Sequence, residues 1–458
     1  MADETPTARA RRRTVLQSVG GLAAVAGLGA VGTAFATDDA AAADGPAWPS
    51  YMGTAANAGR VSGATGAPDG VRLAWTADPE PDRDARYGYP VLAENTLYVP
   101  GSRLWALSAS DGSVEWSFRP HGDDAGRFRT CAVADGTVYA GSDSTDHGRA
   151  GLYALDADGG GVRWRFDDLP VSYVTATADA VLAAGDSDYE DDDSTDALYA
   201  LDPATGAVRW RFGLGGENGM LQRTPPAPAV VDGTAYVKSS DGLVALDVAS
   251  GRERWRVAHG FYAPNGSPPA VADGTVYAAS ATRFREGFFA VDAADGSLAW
   301  SVDAPVGTTA WSASVVGPDR VYVAHQADET TLTALSRADG STAWAAEIEG
   351  VGPSAIGPGV LQVHGRALDP RDGSERWHYD GVEGDAARAI FGGETVYLCD
   401  RRIHALAPAA STDDGDRTTA DPTETPEPTD RPTGEDPATD WPAPPADDPG
   451  RRRGECEI

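Results

Sequence analysis

Lysine is almost missing from this chain. Of 458 residues only Lys238 carries an ε-amine, against 69 aspartates and glutamates, and the formal net charge is −32. The basic side is therefore almost wholly arginine. Such a field repels phosphate backbones, so nucleic acid is excluded as an expected partner. Asp-rich, Lys-poor surfaces suit a protein kept soluble in concentrated salt, where repulsion between carboxylates is screened, and they point to a halophilic archaeon. Cysteine is scarce as well. Cys131, Cys399 and Cys456 lie far apart, which excludes a disulfide framework and any paired zinc ligands. The seven histidines are scattered without metal-ligand spacing, and no nucleophile elbow is present.

The two ends differ in composition from the middle. Arg11-Arg12-Arg13-Thr14-Val15-Leu16 precedes a weakly apolar Gly/Ala run ending at Ala34-Phe35-Ala36. This is the pattern of a twin-arginine export signal over residues 1–36, followed by a linker over 37–47. The stretch Gly27 to Gly32 formally fits a dinucleotide fingerprint, but no strand precedes it and no βα unit follows. No cysteine follows the run, so no lipid anchor is expected, nor a membrane-spanning segment in the mature chain. Residues 409–458 hold nine prolines and fourteen acidic residues, with no Val, Leu or Phe. They are expected to form a disordered acidic tail, since they cannot bury enough apolar surface to fold.

Between these ends, eight tryptophans recur at Trp75, Trp116, Trp164, Trp210, Trp255, Trp300, Trp344 and Trp377. Their intervals are 41, 48, 46, 45, 45, 44 and 33 residues. Seven of them close an eleven-residue motif, fullest in Ala200-Leu-Asp202-Pro-Ala-Thr205-Gly206-Ala-Val-Arg-Trp210. A period in the forties built from short strands and Asp-Gly turns marks a β-propeller of four-stranded antiparallel blades. The stretch from Pro226 to Trp255 reads as strand, turn, strand, turn, strand, turn, strand. Asp232-Gly233 and Asp241-Gly242 supply its hairpins, because glycine accepts the positive φ of a two-residue turn.

Within the motif, small Ala245 lets blades approach, Asp247 accepts from turn amides, and Trp255 lays its face on the neighbouring blade. Burying one indole removes roughly 150–250 Å² from water. Trp210→Ala is accordingly expected to cost about 3–5 kcal/mol. After Trp377 an eighth set of strands, over 389–398 and 402–406, stops before any new Gly-x-x-x-Trp. The missing outer strand is then the one carrying Trp75. The expected fold is an all-β, eight-bladed propeller over residues 48–408, closed by an N-terminal strand that completes the last blade.

These repeats resemble the pyrroloquinoline-quinone (PQQ)-like β-propeller family, whose Ala-x-Asp-x-x-Thr-Gly-x-x-x-Trp docking motif stands almost letter for letter at Ala200 to Trp210. The opening Trp48-Pro49-Ser-Tyr-Met-Gly53 through Asn57-Ala-Gly59-Arg60 is similar to that of BamB-like members. The resemblance implies a fold shared by quinoprotein alcohol dehydrogenases and by assembly scaffolds. The dehydrogenase branch would need a calcium-bound quinone in the channel, an Asp base, Glu and Asn metal ligands and often a disulfide between adjacent cysteines. No Cys-Cys pair exists here, and the blades are close to minimal.

A ligand would sit at the channel mouth, where loops leading from each outer strand to the next inner strand converge. Tyr89, Arg129, Tyr173, Arg223, Asn265 and Trp311 are the candidates there. A planar anionic quinone would suit Arg129 and Arg223 with Trp311 as a stacking ring. Two other features carry less. The acidic run Asp186 to Asp196 lacks the glycine and closing Glu of an EF-hand loop and reads as an exposed hairpin tip. Asn265-Gly266-Ser267 is a formal glycosylation sequon followed by a disfavouring Pro268. Cys131 and Cys399 read as buried thiols, though closure of the ring would bring their blades near each other.

The expected function is that of a monomeric, exported scaffold at the cell surface, without cofactor, metal or catalysis of its own, that binds a protein partner. A PQQ- and Ca-dependent dehydrogenase and a carbohydrate-binding envelope protein are the alternatives.

Overall fold

A computed structural model describes residues 47–409, apart from 82–86, 121–126, 143–149, 186–196, 215–225, 240–241, 259–266, 283–284, 351 and 384–386. The acidic run, Arg223 and Asn265 therefore lie outside the described residues, as do the export signal and the tail.

Eight antiparallel sheets follow one another as the blades of a ring. Blades 1 to 7 cover 91–118, 128–166, 171–213, 229–258, 270–303, 310–348 and 353–378, each built in chain order from the inner strand outward. Blade 8 takes its three inner strands from 388–408 and its outer strand, Val71–Ala77, from the other end of the chain. There Thr76 pairs with His404 and Trp75 with Ala405. The expected closure by an N-terminal strand is thus what the ring uses. The blade from Ala229 to Ala258 reproduces its four expected strands, and Asp232 and Gly233 take φ of +46° and +68° in the first hairpin.

Apolar packing lies mainly between blades. Leu104, Ala106 and Tyr98 of blade 1 meet Val138, Ala140 and Tyr153 of blade 2 in one such cluster. Except in blade 7, the tryptophan of each outer strand crosses to the next blade and donates its indole N–H to a turn carbonyl there. Trp210 donates to Val248 at 2.8 Å, Trp255 to Ala293 at 2.9 Å and Trp300 to Arg337 at 2.8 Å. The motif glycine makes room for that ring. Gly340 sits at φ +73°, and a Cβ on it would come within 2.6 Å of the Trp300 indole. In the same turn of blade 4, Asp247 accepts from the Ser250 amide and hydroxyl and pairs with Arg254 at 2.7 Å. Arg254 and Ser250 together hold the Asp247 carboxyl down at about 2.

Trp377 of blade 7 has no motif turn ahead of it. It donates instead to the carbonyl of Ala67, 310 residues earlier in the chain. The N-terminal segment thus replaces both the missing outer strand and the missing docking turn. Cys131 and Cys399 are free, buried thiols.

Candidate functional site

The segment over 48–66 runs around the inside of the ring as a belt and bonds through its backbone to the inner strands in turn. Trp48 exchanges bonds with Leu92 of blade 1, and Pro49 accepts from Val133 of blade 2. Ala55, Ala56, Ala58 and Gly59 accept from Val230, Val271, Val316 and Ile356 of blades 4 to 7, and Thr65 donates to Gly393 beside blade 8. Asn57 fixes the turn of the belt by donating to the carbonyls of Ala227 and Pro228. Inner strands otherwise present unpaired edges. The outer-strand closure foreseen from the sequence does not cover them; the belt does, along the stretch it occupies.

Tyr51 and Met52 of the belt, together with the starts of the inner strands, line a cup of about 480 Å³. Tyr89 and Pro90 come from blade 1, Tyr173 from blade 3, Trp311 and Ser312 from blade 6, Pro353 and Ser354 from blade 7, and Arg388 from blade 8. Two local irregularities shape the wall. A bulge between Val171 and Tyr173 re-aims Tyr173. The inner strand of blade 6 breaks between Trp311 and Val315, and His325 of the next strand also reaches the cup.

Three tyrosines and one arginine form the charged and polar centre of the cup. The rings of Tyr51 and Tyr89 meet edge to face at 4.2 Å, and those of Tyr51 and Tyr173 at 5.2 Å. The Arg388 guanidinium stands 4.1 Å from the centroid of Tyr89, a cation–π geometry. Burial and the neighbouring phenols push Tyr51 well above the ordinary tyrosine range, and burial also raises Tyr173. Burial acts the same way on Tyr89, but the Arg388 charge and hydrogen bonds from Tyr51, Arg388 and Tyr173 outweigh it and bring Tyr89 below that range. Also on the wall, Trp311 is 6% exposed and its indole N–H has no hydrogen-bond partner. Its ring lies 5.5 Å from that of His325, whose pKa burial lowers.

Of the residues expected at the mouth, Tyr89, Tyr173 and Trp311 do come together. Arg129 is not among the lining residues; its side chain is exposed, its carbonyl accepts from the Tyr89 amide at 3.1 Å, and its charge still acts on Tyr173, favouring the phenolate there. Arg223, the other half of the expected pair, lies outside the described residues, and the arginine among the described lining residues is Arg388. That residue begins the inner strand of blade 8, as Val171 begins that of blade 3. The irregular repeat at that point, with Gly393-Glu394 in place of Asp-Gly, hides the equivalence. Tyr51 was concealed because a belt has no periodicity. The described lining contains no Asp, Glu or Asn, and among the described residues no cluster of His, Cys, Asp or Glu could hold a metal. The described donors by themselves do not fit a calcium-bound quinone or an Asp base.

Behind the wall lies the single lysine. Lys238 is fully buried and donates to the carbonyl of Ser267 at 3.0 Å, while the Ser267 hydroxyl donates to Ser312, another cup residue. Burial pushes the ammonium down to about 7. The unfolded chain then holds an extra proton above that pH, so stability rises with pH by up to about 1.4 kcal/mol per unit. Burial raises both Cys131 and Cys399, which opposes the trend once unfolded thiols ionise. Between pH 7 and roughly 8.5 the lysine dominates. Lys238→Met is expected to flatten that slope in denaturation curves; an unchanged slope would mean the amine is solvated.

The geometry of the ring matches known folds. A family model described as outer membrane protein assembly factor BamB matches residues 57–189 and 193–356. No curated protein matches the sequence significantly. Among solved structures, BamB from Moraxella catarrhalis is similar at 17% identity over 74% of this chain and 98% of that one, with a TM-score of 0.54. A quinohemoprotein alcohol dehydrogenase from Pseudomonas putida is similar at 14% identity over 83% and 82%, with a TM-score of 0.60. The corresponding enzyme from Comamonas testosteroni gives 15%, 79% and 80%, and 0.57. At such identities these structures share the fold alone. The family model covers more than half of the chain, and the repeats, the docking tryptophans and the opening segment agree with it: the chain belongs to the family described as outer membrane protein assembly factor BamB.

Proposed function

We propose that the protein is an exported, non-catalytic scaffold that docks a protein partner on the face of the ring where the cup opens. The observation that carries this reading is the belt. It ties the inner strands together from inside the ring, so the loops around the cup stand on a rigid frame. Family membership supports the same reading as an analogy of mode only, since a shared fold does not transfer a role. The arginine export motif motivates the surface location, and among the described residues no helix is long and apolar enough to cross a membrane. The described lining residues include no carboxylate, which makes the quinoprotein reading the weaker one.

Photo-crosslinking residues placed at Gln326 and Thr330, on the cup side, and at Asp135 and Asp232, in hairpins at the other ends of the inner strands, test the proposal in cells. The cup-side positions are expected to capture one and the same protein, and the hairpin positions none. Equal capture from both sets, or none from either, would count against it.

A further inference from the structure

A buried carboxylate at the seam of the ring takes no part in the cup wall, yet the chain segments leading to two cup residues meet at it. Asp400 stands in the turn between the second and third strands of blade 8 and is 2% exposed. Its Oδ1 accepts from the Arg402 amide at 2.7 Å, and its Oδ2 accepts from the Glu383 amide. The Asp400 carbonyl accepts from the Tyr87 amide at 3.1 Å, and the Asp400 amide donates to the Arg402 carbonyl at 3.0 Å. Glu383 lies on the connection from blade 7 to Arg388, and Tyr87 precedes Tyr89 on the connection from the closing strand to blade 1. Cys399, next to Asp400 in the chain, is the strand partner of Arg388. Behind the carboxylate lies His404, 3% exposed, with its Nε2 3.5 Å from Asp400 Oδ1. Its Nδ1 is 3.2 Å from the Tyr379 hydroxyl and 3.4 Å from that of Thr76 in the closing strand. Burial alone would raise the Asp400 carboxyl, but hydrogen bonds from His404 and from the Arg402 and Glu383 amides outweigh it and hold it below the usual carboxylate range. It therefore stays an acceptor. A buried carboxylate with backbone donors on both oxygens fixes the segments that supply them.

We infer that Asp400 is the positioning residue of the cup: its carboxylate, backed by His404, fixes the two connections that set Tyr89 against the Arg388 guanidinium. The contact so positioned is the 4.1 Å cation–π pair which, with Tyr51 and Tyr173, forms the centre of the cup. The same cluster reaches Thr76, so the closing of the ring and the shape of the cup depend on one buried pair. For a docking face this means a surface already set before a partner arrives, which spares the cost of ordering it on binding. That purpose rests on the scaffold reading. The geometry does not.

The test is spectrophotometric titration of tyrosine ionisation in the full chain in molar KCl, with Tyr89→Phe identifying the phenol that ionises below the ordinary range. The titratable and charged groups facing Tyr89 are Arg388 from blade 8, Tyr51 from the belt and Tyr173 from blade 3. In Asp400→Asn one carboxylate oxygen becomes an NH₂ that meets a backbone N–H, so one of the two amide bonds must open. Tyr89 should then titrate higher by roughly one pH unit, since an opposite charge within a few ångströms shifts a group by about 1–3 pH units and the variant lets that charge move off. The sign is diagnostic. Removing a negative charge would by itself favour the phenolate and lower Tyr89, and mere loss of stability would leave the phenol of the folded protein where it was. If Asp400→Asn does not fold, His404→Gln, which keeps the carboxylate but withdraws its support, serves in its place and should raise Tyr89 by less. A Tyr89 titration that is unchanged or lowered in the variant that folds overturns the inference. So does a native protein in which Tyr89 is not the first phenol to ionise, because the pair would then not be set. Absence of cup-side crosslinking in cells would instead count against docking and leave this titration as it is.

Discussion

A chain beginning at residue 78 is expected to lose the single cooperative melting transition of the full ring and to associate in a concentration-dependent way. Three supports go at once. The strand Ile403–Pro408 loses its hydrogen-bonded neighbour Val71–Ala77 and becomes an open edge. Trp377 loses its acceptor at Ala67, and Trp75 is no longer there to donate to Ala109. The inner strands lose the belt that bonds to them from Leu92 round to Gly393. Open edges invite pairing with a second copy, and an exchanged terminal strand is a low-cost route to a dimer. Calorimetry and sedimentation in molar KCl read both consequences, and adding a peptide of residues 47–77 should restore part of the monomeric transition. A truncated chain that stayed monomeric and melted within a few degrees of the full one would show that the blades close without their N-terminal partner.

Trp300→Ala is expected to destabilise the ring by about 3–5 kcal/mol, the range for removing a large aromatic from a packed site. The indole is 8% exposed, packs with Tyr277 and Phe288, and donates to Arg337 across the blade boundary. Trp210 makes the same hydrogen bond but is only partly buried. Its replacement should therefore cost less, about 2–4 kcal/mol, a downward revision of the sequence-based expectation. A double-mutant cycle isolates the contact. Gly340→Ala places a methyl within 2.6 Å of the Trp300 ring and also forces a side chain to φ +73°. In the Trp300→Ala background the clash disappears, leaving the backbone penalty of about 1–2 kcal/mol. Denaturant titration of the four proteins measures the coupling. Additive effects would mean that glycine and tryptophan do not pack on each other in solution.

The blades were legible in the sequence because each carries its own punctuation. Asp232-Gly233 marks a hairpin whichever blade holds it, and the spacing from Gly206 to Trp210 marks an outer strand. Tyr89, Tyr173 and Trp311 could be placed at the mouth on topology alone, since each lies near the start of an inner strand. Arg129 shows where that reasoning stops. It occupies a comparable position, yet its side chain is exposed and does not line the cup, since the alternation of a strand sends neighbouring side chains to opposite sides. A bulge between Phe128 and Thr130 shifts that alternation, and no local signal announces it.

The sequence by itself determined the all-β class, the eight blades, the tryptophan docking and the closing strand, since these follow from short-range patterns repeated along the chain. The tertiary structure alone decided that Tyr51 feels the charge of Arg388, that Trp377 finds Ala67, and that Lys238 is buried behind Ser267. The first two join residues more than 300 positions apart, and the third crosses from one blade to the next. They exist because closing the ring brings the chain ends and the blade edges together, and no periodicity in the sequence encodes which side chains then face one another.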